Sequence, residues 1–153
     1  MSISSMFKSV FASGMKELNK EYGKTEDFLK AVSASCALIA YADGTCEDAE
    51  KKKAMEVLTS HTQLSGLYTR QQIESTLNNA LGHATTASGK QELARNLDAV
   101  NSLPNASQMA DDVYLVAVDV ASSNHNGKAG EDETKVLEKI AKRLNVDPSK
   151  FDF

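Results

Sequence analysis

Two stretches of this chain join acidic side chains to a glycine turn, the residue types that hold a hard divalent cation through oxygen. The first runs Asp43-Gly44-Thr45-Cys46-Glu47-Asp48-Ala49-Glu50. The second runs Ser122-Ser123-Asn124-His125-Asn126-Gly127-Lys128-Ala129-Gly130-Glu131-Asp132-Glu133. In each, a glutamate follows the turn glycine by six residues, Glu50 after Gly44 and Glu133 after Gly127.

A calcium loop of the EF-hand type wants side-chain oxygens at its first, third and fifth places, glycine at the sixth and glutamate at the twelfth. The second stretch puts Ser122, Asn124, Asn126, Gly127 and Glu133 at those places. Neutral oxygens stand where carboxylates are usual, so its affinity for calcium should be low. The first stretch has only Ile39 and Tyr41 at its upstream places, which leaves Asp43 and Glu50 to act with backbone carbonyls and water. Glu47, Asp48, Glu131 and Asp132 would strengthen the negative field. The expected cofactor is a divalent metal ion, Ca2+ before others, because every candidate ligand is an oxygen. A plainer reading stands beside it. Acids after a glycine turn also start a helix, where each stabilises the positive dipole end by about 0.3–1 kcal/mol. Spacing alone leaves both open.

Other chemistry finds little support. His61, His83 and His125 are scattered, and His125 reads as an exposed loop residue. Cys36 and Cys46 lack a zinc-ligand spacing: Cys36 falls on an apolar helical face and should be core, whereas Cys46 should be an exposed loop residue. No glycine-rich phosphate loop follows a strand. No catalytic residue is assigned, and the chain is expected not to be an enzyme.

The elements that must position these loops are helices, since apolar residues recur at helical spacing throughout. Ile3, Met6, Phe7, Val10, Phe11, Met15 and Leu18 mark a first helix, expected to dock on the core. A second, opened at Thr25, carries Phe28, Val32, Cys36 and Ile39; a third starts near Glu47 and carries Met55 and Leu58. Thr69 with Gln72 and Ser88 with Gln91 have the spacing of capping boxes for two more. Asn105 should cap a helix carrying Met109, Val113, Val116, Ala117 and Val120. The last long helix starts near Glu131 and carries Leu137, Ile140 and Leu144, before a short Asp147-Pro148 turn with Phe151. The prediction is an all-α single domain over 1–153, of about seven helices and no strand.

An internal repeat organises them. Val32, Cys36, Ile39 and Ala40 align with Val113, Ala117, Val120 and Ala121, and each set leads into one of the acidic turns. Two helix–loop–helix units, near 28–61 and 109–145, are therefore expected around one core.

The chain has 153 residues, 41% hydrophobic and 25% charged, enough for one continuous core. Its formal charge of −4 argues against a nucleic-acid partner. No apolar run approaches a membrane span, and the serines and Lys8 within Met1 to Ser13 make a poor signal-peptide core, so a cytoplasmic protein is expected. Any membrane association would be peripheral, through a partner.

The segment Ile39-Ala40-Tyr41-Ala42-Asp43-Gly44 with its later Glu50 resembles the signature of the TerB-like tellurite-resistance family. Met6 to Gly23 resembles that family's first helix, and Leu144-Asn145-Val146-Asp147-Pro148-Ser149-Lys150-Phe151 its C-terminal closure. The resemblance implies an all-helical domain of two related halves, a role in tellurite resistance or stress response, and divalent-cation binding at the two loops. It carries the ligand role to Asp43, Glu50 and Glu133, while Asn126 departs from the family's aspartate. A cation bound at the loops is expected to change how a helical face meets a protein partner. The alternative is a metal-independent helical adaptor, phage-encoded or defence-related. The sequence fixes no oligomeric state.

Overall fold

Phe28, Val32, Cys36 and Ile39 lie on α1, Asp27–Ala40, in a computed structural model that describes Tyr22 and residues 26–123 and 130–151. The expected first helix and the cap at Thr25 lie outside the described residues. Six more α-helices follow: α2 Asp48–Ser60, α3 Thr62–Ser65, α4 Arg70–His83, α5 Ala87–Val100, α6 Ala106–Ser123 and α7 Glu131–Leu144. A 3-10 turn, Pro148–Phe151, closes the described chain. No strand occurs among the described residues, and the apolar run Val113 to Val118 is helical.

α1 is the axis of the bundle and packs most extensively on α4, α5 and α6. Its apolar stripe understates its burial. Leu29, Ala31, Ser33, Ala34, Ser35 and Ala37 are buried as well, so the helix is enclosed on all sides. Small residues on those further faces let neighbouring helices approach closely. Val32, Cys36, Ile39 and Ala40 and the residues aligned with them, Val113, Ala117, Val120 and Ala121, are all core residues. Each large side chain buried in this way contributes about 1.5–3 kcal/mol of transfer free energy.

The caps decide where helices begin. Thr69 and Gln72 form the expected capping box, with Gln72 N donating to Thr69 Oγ1 at 3.1 Å and Thr69 N donating to Gln72 Oε1 at 2.8 Å. The expected box at Ser88 and Gln91 is not used. Thr86 caps α5 instead, its Oγ1 accepting from Gly89 N at 3.0 Å. Starting the helix earlier puts Gly89 in its first turn, where a Cβ would collide with the backbone of His83. Only glycine fits that crossing of α4 and α5. α3 was not expected from the sequence; its Leu64 reaches the core from a single turn.

A hydrogen-bonded polar cluster lies deep in this core. Tyr22 OH donates to Asp112 Oδ2 at 2.8 Å, and the Tyr22 carbonyl accepts from Tyr68 OH at 2.6 Å. Tyr22 also packs on Phe28, with ring centroids 4.6 Å apart. Asp112 is 2% exposed, and burial pushes its carboxyl up to about 6, against the opposing pull of the Tyr22 hydrogen bond.

Candidate functional site

The first acidic turn meets the start of α7. Asp43, Glu50, Glu131, Asp132 and Glu133 line one cavity of about 460 Å³ between the start of α2 and the start of α7. Ile39, Ala40, Ala42 and Ala49 form its apolar wall, and Lys53 contributes a single cation. α1, which leads into the first turn, packs on both α6 and α7.

Local chemistry sets the first turn. Gly44 has φ +95°, which an L side chain rarely adopts, so the turn needs glycine. Asp43 Oδ1 accepts from Thr45 N at 3.1 Å, and Gly44 N donates to Tyr41 O at 2.9 Å. Together these hold the Asp43 carboxylate at the mouth of the cavity, with its second oxygen outside that turn bond. Glu47 occupies the N-cap of α2, and Glu50 stands three residues on. Glu50 Oε1 accepts from Glu47 N at 3.1 Å, the return half of a capping box. The helix-start reading is therefore realised at Glu50, which keeps one oxygen outside that bond.

Glu133 stands at the corresponding third position of α7, whose N-cap is Gly130. It differs from Glu50 in burial: Glu133 is 9% exposed, whereas Glu50 lies on the surface. Glu131 reaches Lys135 at 3.9 Å across a solvated helix turn. The positive ends of two helices thus border the cavity, and their dipoles offset part of the repulsion among its carboxylates.

Not every sequence-predicted ligand joins the site. Glu47 and Asp48 are exposed and do not line the cavity. Ser122 is fully buried in the last turns of α6, and its hydroxyl has no hydrogen-bond partner among the described residues. It belongs to the helix interior rather than to an open loop, because the α6 register that buries Ala121 continues through it. Asn124 and Asn126, with His125 and Gly127, lie outside the described residues. Among the described residues, no three His, Cys, Asp or Glu side chains converge closely enough to hold a metal ion by themselves. An ion here would keep water in part of its shell, as the incomplete ligand set of the first turn suggests.

Lys53 was missed in the sequence. Its signal was helical periodicity, since it follows Glu50 by three residues and Ala49 by four. Cys46 is half-buried and packed against the core rather than exposed, and burial pushes its thiol upward. Cys36 is core as expected, its thiol pushed up to about 12 by burial. His61 is also half-buried and held down to about 4, the charged imidazolium being disfavoured there.

No helix among the described residues is long and apolar enough to cross a membrane. The family model described as "Tellurite resistance protein TerB" matches residues 29–153, which takes in both acidic turns and every described helix but the first turn of α1. No curated protein and no solved structure matches the chain.

Proposed function

The chain belongs to the TerB family of tellurite resistance proteins, and from that premise we propose that it binds a divalent cation at the cavity between its acidic turns. Calcium is favoured over other ions because the candidate donors are all oxygens. The cation-loaded protein would act in the cytoplasm, in tellurite resistance or stress response, by presenting a helical face to a protein partner. The role proposed for it is binding: the acidic side chains of the cavity offer oxygen donors to an ion.

One observation supports this reading above the rest. Asp43 and Glu50 from one turn and Glu133 from the other, 83 residues beyond Glu50, line a single cavity. Carboxylates gathered in that way repel one another, and a cation relieves the repulsion. Asp43 and Glu50 would supply ligands from the first turn and Glu133 from the second. The ion would offset part of the cavity's negative charge and tie α2 to α7. Lys53 opposes this by adding its own positive charge, so affinity should be modest.

A calcium titration by calorimetry on chelator-stripped protein tests the proposal, beside Asp43→Ala and Glu133→Gln. Saturable heat in the parent protein, abolished or weakened at least tenfold in either variant, is the expected result. Silence at about millimolar calcium, with magnesium, manganese and zinc also silent, would refute it.

The second reading, a metal-independent helical adaptor, is favoured by the Glu47–Glu50 capping contact, which gives the first turn a purely structural use. Under that reading the same titrations are silent, and partner binding is indifferent to chelator.

A further inference from the structure

A second concavity, of about 380 Å³, lies along α2 and α4 and shares no lining residue with the acidic cavity. Its floor is apolar, made by Met55 and Leu81, and its rim carries Lys51, Lys52 and Arg70 against the single carboxylate of Glu56. This is a local excess of positive charge on a chain whose formal charge is −4. Lys51 and Lys52 have no ion pair among the described residues. Arg70 meets Glu74 at 2.7 Å, yet its side chain stays 73% exposed.

We propose that this groove docks an acidic, amphipathic helical segment of a partner protein. The floor takes its apolar side chains, and the three rim cations face its carboxylates. Arg70 and Leu81 stand eleven residues apart on one helix, a span of about 17 Å, which matches about three turns of a docked helix. Charge complementarity sets the class of partner. A nucleic acid would need a longer basic track, because its affinity comes from neutralising many phosphates. An anionic membrane calls for a cluster of more lysines and arginines than the groove offers. An acidic helix needs only two or three cations beside an apolar strip. The groove is built without the acidic turns, so the inference holds with or without an ion in the acidic cavity.

A random-peptide display selection against the full chain, run in chelator to silence the ion site, tests it. Enriched peptides should carry Asp or Glu beside apolar residues at spacings of three and four. A selected peptide, synthesised with a fluorescent label, should bind by anisotropy, and Lys52→Glu and Met55→Gln should each weaken it by about tenfold. Lys52 is exposed and Met55 half-buried on α2, and circular dichroism of each variant checks that the fold is kept. Enrichment of basic or uncharged peptides would overturn the proposal. So would equal binding by both folded variants, or sedimentation with phosphatidylserine vesicles when no peptide is enriched.

Discussion

The buried Asp112 carboxylate should make the protein lose stability as pH rises from 4 to 7, and Asp112→Asn should remove that loss. Burial raises this carboxyl from 3.8 to about 6, with Asp111 adding to the rise and the Tyr22 hydroxyl opposing it. The sign follows from linkage. The folded state holds the proton more tightly than the unfolded chain, so the contribution is fully present below pH 3.8 and is lost as pH rises through about 6. A shift of about two units at 1.36 kcal/mol per unit makes the loss about 3 kcal/mol. An asparagine at this position cannot ionise, and its carbonyl can still accept from Tyr22 OH. Its amide N–H groups add donors in a buried place, which costs about 1–3 kcal/mol at every pH if they find no acceptor. The pH-dependent part is therefore the clean observable. Urea unfolding of both proteins from pH 4 to pH 7.5 gives the difference in stability at each pH, in which the remaining carboxylates cancel. The variant should gain on the parent by about 2 kcal/mol across that range, most of it between pH 4 and pH 6. A flat difference, or a parent that gains on the variant as pH rises, would refute the burial argument.

Two further outcomes follow from the packing and the caps. Gly89→Ala should destabilise by about 1–3 kcal/mol in thermal or urea unfolding, because its Cβ would meet the His83 backbone and force α4 and α5 apart. Thr86→Ala should cost about 1 kcal/mol, since its hydroxyl caps α5, while Ser88→Ala should change stability by less than about 0.5 kcal/mol. The reverse order of those two substitutions would return the cap to Ser88.

The helical class and the first acidic turn were legible because each rests on local chemistry. An apolar residue every three or four positions produces a helix wherever the chain lies, and Asp43-Gly44 makes a turn through its own φ and its own side-chain bond to Thr45. Capping was legible only in part. Thr69 and Ser88 carry the same spacing signal, yet Thr86 replaces Ser88 because a contact with a different helix decides the register of α5. The burial of Ser122 was hidden for a related reason. Sequence spacing cannot tell a loop serine from one in a buried helical turn, and Ser122 proved to be the latter.

What the sequence determined by itself is therefore the local part: which segments coil, where they turn, and which carboxylates stand in the first turn of α2 and α7. Tertiary structure alone decided that α1 is enclosed on every side, that Asp112 shares a buried hydrogen bond with Tyr22, and that Glu50 and Glu133 face a common cavity with Lys53 among them. Periodicity reports the face a helix hides. It says nothing of which other helix hides it. That choice belongs to the close packing of α1 on α4, α5 and α6, where side chains distant in sequence must fill the same space.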